Sequence, residues 1–449
     1  MKFGGTSVAD PDALNRLIGI VRQQQARNAG GAAPVVVVSA LSGVTDTLVA
    51  VTRLAAEGEA DQATASLKAL LERHLAVTTA ITSESRSATL AAVQQEFDEL
   101  IGLVHALAVL REVSPRSLDA VMAVGELVSS RIVAAALSDH RVPSLGIDAR
   151  TVLVTNAEHN AAVPDIVETD ERVRERVAPA SAAGTVVVLG GFIGATASGI
   201  TTTLGRGGSD YTAAIFGAAL DVDEIQIWTD VDGMLTADPR IVPKPNLVQQ
   251  LSFLEASELA YFGAKVLHPS TILPAIGKNI PVRILNSRRP ENTGTLITAA
   301  GRPSDGTLTA IACKRDVTVI DITSTRMLMA NGFLRRLFEV FERFKTSVDV
   351  VTTSEVSVSV TVDDTRRLEA ILDNLRNFAE VGCEHEMAII CAVGENLRAD
   401  QTLVSRAVTA LDRVPLRLVS QAASRRNITF VLRNADVPHA MMRLHETFF

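Results

Sequence analysis

The sequence predicts an α/β protein, built as a three-layer domain followed by two smaller ferredoxin-like βαββαβ modules. Three observations predict it: short β-branched runs alternate with helical patterns up to residue 299, the pattern then changes, and a similar order of elements follows twice. At 449 residues the chain also exceeds what one hydrophobic core usually organises, so several domains are expected.

The strands of the first domain are predicted from β-branched runs at 35–38, 185–189 and 224–228, most of which lack polar alternation. Strands that are apolar on both faces belong to a sheet that helices cover on both sides, which gives three layers. Between these runs, residues 63–112 are rich in Ala, Leu and Glu at helical spacing, and 117–137 form another long helical pattern. Both patterns predict a helical insertion.

The C-terminal modules begin after a cluster of residue types that interrupt helices and strands: Gly301, Pro303, Ser304, Asp305 and Gly306. The first module is predicted as strand 317–322, helix 332–344, strands 347–351 and 356–362, and helix 365–378. The second is predicted as strand 387–393, helix 402–411, strands 415–420 and 428–432, and helix 437–447. The copies are offset by about 70 residues, a period that suggests duplicated βαββαβ units.

The predicted domains are therefore 1–299, 307–385 and 386–449. Sheets of the ferredoxin-like kind expose edge strands that often pair between subunits, so we expect a homodimer or a higher oligomer that forms through the modules.

Composition excludes several classes of function. Hydrophobic residues make up 47% and charged residues 21%, an ordinary globular balance. The formal net charge of -8, from 43 basic and 51 acidic residues without a basic cluster, argues against a nucleic-acid partner. Cys313, Cys383 and Cys391 fit neither a disulfide framework nor a metal-ligand pattern, and they favour a reducing cytoplasm.

No membrane partner is expected, because we expect no stretch long enough to span a bilayer and the N-terminus opens without a leading signal segment. Little of a first strand precedes Lys2, so a trimmed fragment is one expectation.

Two glycine loops indicate anion binding. The first, Lys2-Phe3-Gly4-Gly5-Thr6-Ser7, sets a cation and two glycines at the end of a first strand. The second, Gly205-Arg206-Gly207-Gly208-Ser209-Asp210, leads into a helix predicted to begin near Tyr211, with Ser209-Asp210 resembling an N-cap. Backbone amides at glycines and at helix N-termini bind phosphate. Either loop alone is also explained by a tight turn, and the chain has neither a Walker loop nor a dinucleotide fingerprint.

Together these loops resemble the two signatures of the aspartate kinases. Further segments agree in order: Ser39-Ala40 with Thr45, Gly125-Glu126-Leu127, Trp228-Thr229-Asp230-Val231, Ala237-Asp238-Pro239-Arg240 and the segment from Phe262 to Pro269. The resemblance covers essentially the whole chain. It implies an amino-acid-kinase (carbamate-kinase-like) domain, two ACT regulatory domains, and phosphorylation of the aspartate β-carboxylate, a first step toward lysine, threonine and methionine.

The resemblance also implies roles by position. Lys2 and Asp210 are catalytic, with Asp210 orienting the lysine, and Gly4, Gly5 and Ser39 hold the transferring phosphate. Aspartate binds Ser39, Thr45, Glu126 and Arg206. ATP, which enters with Mg²⁺ and without a dedicated protein metal site, binds Lys2, Gly4, Gly5, Thr6, Ser7, Thr229, Asp230, Arg240 and Lys265.

The chemistry of the reaction suits these residues. The β-carboxylate of aspartate is already ionised near neutral pH and is itself the nucleophile, so no general base is required. The barrier is charge crowding between this anion and a triphosphate, which lysines, Mg²⁺ and backbone amides relieve. Arg206 suits the α-carboxylate and Glu126 the α-ammonium group.

The first module predicts a regulatory site. Residues 347–360 resemble the lysine site of lysine-inhibited aspartate kinases, which implies feedback inhibition by L-lysine. Its implied contacts are Met327, Phe333, Leu334, Ser347, Val348, Asp349, Thr353, Ser354 and Glu355. Asp349 and Glu355 suit ammonium groups, whereas the second module carries Arg417 and Ala423 at the aligned positions, so one module binds and the other mainly packs. A solvated acidic edge is the alternative.

Other interpretations stay open. Glu126 alone could be a surface carboxylate, and Trp228 a packing residue. Gly233-Met234-Leu235 departs from the family, which commonly has an aromatic residue there. The chain could instead act on glutamate or N-acetylglutamate, be a non-catalytic amino-acid sensor, or be half of a fusion.

Overall fold

The structure, a computed structural model, describes residues 1–28, 30–263, 269–301, 307–324, 331–421 and 424–449. The chain forms two compact units. Unit 1 comprises Met1–Met234 and Val266–Ala299, and unit 2 comprises Leu235–Lys265 and Ala300–Phe449. Residues 235–265 thus group with the C-terminal part of the chain. The predicted domain limits remain a prediction, although the limit at 385/386 falls inside one continuous strand, Glu380–Val393.

Unit 1 confirms the predicted alternation of strands and helices. Its strands are β1 (Lys2–Phe3), β2 (Val35–Val38), β3 (Ser144–Gly146), β4 (Val154–Thr155), β5 (Val186–Gly190), β6 (Ile193–Thr196), β7 (Thr201–Thr203), β8 (Ile225–Thr229), β10 (Val282–Asn286) and β11 (Thr295–Thr298). Its helices are α1 (Pro11–Arg27), α2 (Val44–Glu57), α3 (Ala60–Ile81), α4 (Arg86–Leu110), α5 (Pro115–Asp139), α6 (Ile166–Arg176), α7 (Ala178–Ala182), α8 (Gly208–Ala219) and α10 (Leu273–Lys278).

The main sheet of unit 1 places β1 at its centre. The strands follow the order β3-β5-β2-β1-β8-β10-β11, and all neighbouring pairs are parallel except β10 with β11. Lys2 lies in register with Val37 on one side and Ile227 on the other. β5 is buried along its whole length, as its unbroken apolar run predicts for a sheet covered on both faces. The carboxyl ends of the parallel strands therefore meet at one edge.

The predicted helical insertion is present and is divided. Residues 63–112 form two helices, α3 and α4, with residues 82–85 between them.

α5 corrects the expectation that no stretch reaches membrane-spanning length. Within the described residues it is the one helix long and apolar enough by composition, with a mean hydropathy of 1.7, but 78% of that stretch is buried against the rest of the protein. Its apolar length is that of a core helix, since residues such as Val121, Val128 and Ile132 belong to the main hydrophobic core.

Unit 2 contains strands β9 (Gln250–Ser252), β12 (Ala310–Thr323), β13 (Val351–Thr353), β14 (Ser357–Val362), β15 (Glu380–Val393), β16 (Leu418–Gln421) and β17 (Asn427–Arg433). Its helices are α9 (Phe253–Tyr261), α11 (Phe333–Arg343), α12 (Leu368–Arg376), α13 (Leu403–Ala410) and α14 (Val437–Phe448). Six of the strands form one antiparallel sheet in the order β13-β14-β12-β15-β17-β16.

Two hydrophobic cores cover this sheet, which agrees with two modules. One core contains Leu337 of α11 and Leu372 of α12 with β12 and β14, and the other contains Ala407 of α13 and Met441 of α14 with β15 and β17.

The predicted strand at 347–351 is wrong, because the strand begins only at Val351. Before it, the Thr361 hydroxyl accepts a hydrogen bond from the Val350 N–H at 2.9 Å, so a side chain replaces a partner of the regular ladder.

Candidate active site

The candidate site lies at the carboxyl edge of the main sheet of unit 1. Ligands of parallel sheets bind at this edge, where loops leave the strands. The Gly4 N–H donates to the Trp228 carbonyl at 3.0 Å, and the Gly191 N–H donates to the Val38 carbonyl at 2.8 Å. The ends of β1, β8, β2 and β5 are thereby held together.

Lys2 and Asp210 form an ion pair at this edge. The Lys2 Nζ lies 2.7 Å from Asp210 Oδ1, and the two side chains are only 12% and 13% exposed. The ammonium also lies 3.5 Å from the point that a Cβ on Gly4 would occupy. Predicted residues from β1, the first glycine loop and α8 therefore meet within one small region.

The start of α8 differs from the prediction. The helix begins at Gly208 and not near Tyr211, and its N-cap is Gly207 in the left-handed conformation with φ 73°. Ser209 and Asp210 therefore lie in its first turn and are not N-cap residues. Glycine is favoured at this cap because side chains rarely adopt a positive φ.

Ser209 was predicted only as an N-cap-like residue of the second glycine loop, and its contact with Ser39 was not predicted. The Ser39 hydroxyl donates to the Ser209 hydroxyl at 3.0 Å, which joins the end of β2 to the first turn of α8. The close approach of Gly191 to Ser209, where a Cβ on the glycine would come within 2.7 Å of the serine Cα, explains why this position needs a glycine. The only sequence signal for Ser209 is its place in the second glycine loop.

Glu126 is buried, so its alternative interpretation as a surface carboxylate is wrong. The residue is 3% exposed on α5, and the Ala40 N–H donates to its Oε1 at 3.1 Å. Its Oε2 is buried and has no hydrogen-bond partner among the described residues. Burial raises the pKa of the Glu126 carboxyl to about 8, because removal from water disfavours the charged form. Oε2 is the kind of acceptor that a ligand cation would satisfy.

Arg206 and Thr45 flank this edge. Arg206 is exposed in the loop between β7 and α8, between Gly205 and Gly207, whose φ angles are 75° and 73°. It forms no ion pair with the other described residues, which leaves its guanidinium available to an anion. Thr45 is partly buried in the first turn of α2.

The residues predicted to bind ATP are only partly brought together. Thr229 ends β8, and its hydroxyl donates to the exposed Asp230 at 3.3 Å. Thr6 is partly buried, whereas Ser7 is 1% exposed and its hydroxyl lies 2.8 Å from that of Ser287. Ser7 is thus bound to the residue that follows β10.

The remaining two predicted ATP contacts belong to other parts of the chain. Arg240 lies in unit 2, where its 77% exposed side chain pairs with Asp238 at 2.6 Å. Lys265 lies outside the described residues.

The predicted effector residues that the structure describes lie in unit 2, at the start of α11, in the segment before the edge strand β13, on that strand and in the turn after it. Phe333 is the buried first residue of α11, and Val348 is partly buried. The others that the structure describes are exposed: Leu334, Ser347, Thr353, Ser354 and Glu355. Met327 lies outside the described residues.

Asp349 is the exception, because its side chain is 1% exposed. Its Oδ1 accepts from the Lys314 ammonium at 2.7 Å and from the Tyr261 hydroxyl at 2.8 Å. Lys314 also pairs with Asp363 at 2.7 Å. The Asp349 Oδ2 is buried without a partner among the described residues. Lys314 and Tyr261 were not predicted, since they are remote from Asp349 in sequence.

The family model described as "Amino acid kinase family" matches residues 1–286, and the model described as "ACT domain" matches residues 390–448. Lysine-sensitive aspartokinase 3 of Escherichia coli (strain K12) is 34% identical over 460 residues, which cover 100% of this chain and 98% of that protein.

Two solved structures of E. coli aspartokinase III are similar to the chain, both at 34% identity. The complex with aspartate and ADP (R-state) matches with a TM-score of 0.86 over 100% of this chain and 99% of that one. The complex with lysine and aspartate (T-state) matches with a TM-score of 0.81 over 100% and 98%.

Proposed function

The chain belongs to the amino acid kinase family and, within it, to the aspartokinases, and on this premise we propose that unit 1 transfers the γ-phosphoryl group of ATP to the β-carboxylate of L-aspartate. The observation that carries the proposal is the Lys2–Asp210 ion pair at the same sheet edge as the buried Glu126 carboxylate. One cation for phosphate and one anion for an ammonium group are what this pair of substrates requires.

The phosphate side of the site rests on Lys2 and the first glycine loop. Asp210 holds the lysine ammonium at 2.7 Å, which fixes a long side chain that would otherwise sample many rotamers. The Gly4 N–H is bound to the Trp228 carbonyl, so Gly4 serves by letting the lysine ammonium lie close to the backbone, and the Gly5 amide, which follows β1, is a donor for phosphate oxygens. Thr229 ends the neighbouring strand β8 and Asp230 follows it, and with Thr6 they extend this side toward the nucleotide. Arg240 and Lys265 are ATP contacts that the resemblance alone implies.

The aspartate side rests on Glu126 and Arg206. The substrate α-ammonium would satisfy Glu126 Oε2, and the exposed guanidinium of Arg206 would grip the α-carboxylate with two parallel hydrogen bonds. Ser39 and Thr45 would contact the remaining oxygens. With the α-groups so held, the β-carboxylate attacks the γ-phosphorus directly, and the bond from that phosphorus to the bridging oxygen breaks to release ADP.

Mg²⁺ would enter with the nucleotide. Among the described residues no group of three His, Cys, Asp or Glu side chains could hold a metal by itself. This suits Mg²⁺, which takes most of its ligands from phosphate and water and needs only one or two carboxylates. The exposed carboxylate of Asp230 at the end of β8 is the side chain placed to provide one. When bound, the ion neutralises charge on the phosphates.

The wider assignment follows the predicted organisation. Residues 1–299 form the catalytic domain, and 307–385 and 386–449 form two ACT modules that assemble the subunits through edge strands such as β13. The three cysteines are free thiols, as a reducing cytoplasmic compartment would keep them.

The function is tested by trapping the acyl phosphate product. Hydroxylamine converts an acyl phosphate to a hydroxamate, so we expect hydroxamate from ATP with L-aspartate and at least about tenfold less from glutamate or N-acetylglutamate, because Arg206 and Glu126 hold the α-groups at a fixed distance from the phosphate. If more hydroxamate forms from glutamate than from aspartate, glutamate is the substrate. Binding of aspartate without any turnover would identify a sensor.

Feedback inhibition by L-lysine is proposed for unit 2. The lysine-sensitive relative supports it, as does the complex of E. coli aspartokinase III with lysine. Within this chain, Asp349 offers a buried Oδ2 to an effector ammonium, although Lys314 already neutralises Oδ1. Glu355 in the exposed turn before β14 offers a second carboxylate.

Asp349→Asn is expected to raise the lysine concentration for half-inhibition roughly 10- to 100-fold, the cost of losing a hydrogen bond to a charged group. Each variant is measured relative to its own activity without lysine. Asp363→Asn is the matched control, because it removes the other carboxylate that pairs with Lys314, and that carboxylate is 42% exposed. Equal sensitivity of both variants and the unsubstituted chain to lysine would remove Asp349 from the effector site.

A further inference from the structure

A second buried carboxylate lies on α5, the helix that carries Glu126. Asp119 is fully buried, and three groups bind it. The Thr203 hydroxyl donates to Oδ1 at 2.5 Å, the Asn160 N–H donates to the same oxygen at 3.1 Å, and His159 Nδ1 lies 2.6 Å from Oδ2. The catalytic proposal uses none of these four residues, and no sequence motif drew attention to them.

These contacts hold two segments next to the second glycine loop: the strand that precedes it and the segment that packs against it. Thr203 ends β7, two residues before Gly205, and its carbonyl accepts from the Ala162 N–H at 2.9 Å. Asn160 lies directly against the loop, because a Cβ on Gly205 would come within 3.0 Å of the Asn160 carbonyl oxygen. Asp119 therefore fixes the strand that enters the loop and the segment against which the loop packs.

Asp119 also fixes the distance between the two groups proposed to hold aspartate. Glu126 follows it by seven residues on α5, about two helical turns and roughly 10 Å along the axis. Arg206 follows Thr203 by three residues. The α-ammonium and α-carboxylate of one amino acid are joined through a single carbon, so their two protein partners must keep a constant separation.

We infer that Asp119 is a positioning residue for the amino-acid substrate, which ties the Arg206 loop to the helix that carries Glu126. The inference rests on the proposed function of Arg206 and Glu126. Asp119 touches neither substrate, and it acts by holding Thr203 and Asn160. Lys2 and Gly4 belong to β1 and its following loop, and Asp210, which holds Lys2, is fixed in the first turn of α8. The hydrogen bonds and ion pair of Asp119 go to Thr203, Asn160 and His159, so we expect its loss to weaken aspartate binding far more than nucleotide binding.

The test uses the full chain with Asp119→Asn, Thr203→Val and Thr203→Ser. Asparagine keeps the size of Asp119 but removes the charge, valine keeps the shape of Thr203 without its hydroxyl, and serine keeps the hydroxyl. We expect the aspartate KM and the calorimetric aspartate Kd to rise about tenfold or more in Asp119→Asn and Thr203→Val, because a small misplacement of a binding group is costly. The ATP KM should stay within about twofold, and Thr203→Ser should restore aspartate affinity to near the level of the unsubstituted chain.

Each other outcome is decisive. Circular dichroism and the melting temperature show whether each variant folds. If Thr203→Val folds and its aspartate affinity is unchanged, the inference is overturned, even if Asp119→Asn does not fold. Equal rises in the aspartate and ATP KM would also overturn it, because they indicate general damage to unit 1. Absence of aspartate turnover in the unsubstituted chain would instead remove the proposed function, and the inference with it.

Discussion

Lys2→Met is expected to lower kcat about 10²- to 10³-fold, the usual loss when one preorganised group that stabilises transition-state charge is removed. Methionine retains the length of the side chain and removes the ammonium that lies 2.7 Å from Asp210 and beside Gly4. Because the proposed function assigns the lysine to the phosphate and not to the α-groups of aspartate, the aspartate KM should change by less than about threefold. Hydroxamate formation at saturating ATP and aspartate measures the effect.

Lys278→Met provides the matched control for this variant. Lys278 forms the same kind of ion pair, with Asp221 at 2.9 Å in the same unit, but the two side chains are 47% and 63% exposed and remain in contact with water. Exposed pairs of this kind contribute little to stability, so kcat should not change. A Lys2→Met enzyme that keeps more than about a tenth of the normal kcat would show that another group carries the transferring phosphate.

Aspartate affinity is expected to rise steeply with pH up to about 8. Burial raises the Glu126 pKa to about 8, so in the free protein this carboxyl is protonated at neutral pH and must lose its proton to bind an ammonium group. The aspartate KM should therefore fall by up to about tenfold per pH unit between about pH 6 and pH 8, and then level off.

Glu126→Gln isolates this effect. The amide has the shape of the carboxyl without its charge, so the aspartate KM should be high at pH 8 and nearly independent of pH between 6 and 8. Any pH dependence that the variant retains belongs to aspartate, ATP or other protein groups, and is subtracted. A KM profile that is the same in both proteins would show that Glu126 does not bind the substrate ammonium.

The raised pKa also has a consequence for stability. A carboxyl whose pKa is higher in the folded state than in the unfolded state stabilises the fold below its ordinary pKa of 4.5, and this contribution is lost as the pH rises toward 8. The free energy of unfolding of Glu126→Gln should accordingly depend less on pH over that interval. Denaturant unfolding at pH 5, 6.5 and 8 measures it.

The order of the elements could be predicted because local patterns determine it. Residues 35–38 are four consecutive valines and form β2 as predicted, and the apolar runs near 186 and 225 became β5 and β8. Boundaries that depend on side-chain hydrogen bonds could not be predicted in this way. The start of β13 depends on Thr361, and the start of α8 depends on the conformation of Gly207.

The part of the candidate site that could be predicted consists of residues that belong to short sequence motifs. Lys2, Gly4 and Asp210 belong to glycine loops and meet in the structure as the resemblance implied. Burial of Glu126 was not predictable from its helical context, since it depends on the close approach of α5 to Ala40 after β2. The partners of Asp119 and Asp349 come from segments far away in sequence, and only the folded chain brings them together.

The central claim is that Lys2, Glu126 and Arg206 serve one substrate pair at one edge of the sheet. The most direct test is a crystal structure of the chain with L-aspartate, Mg²⁺ and a non-hydrolysable ATP analogue. We expect the α-ammonium within hydrogen-bond distance of Glu126, the α-carboxylate on Arg206, and the β-carboxylate facing the γ-phosphate beside Lys2. Aspartate bound with its α-groups away from Glu126 and Arg206, or a γ-phosphate remote from Lys2, would contradict the claim.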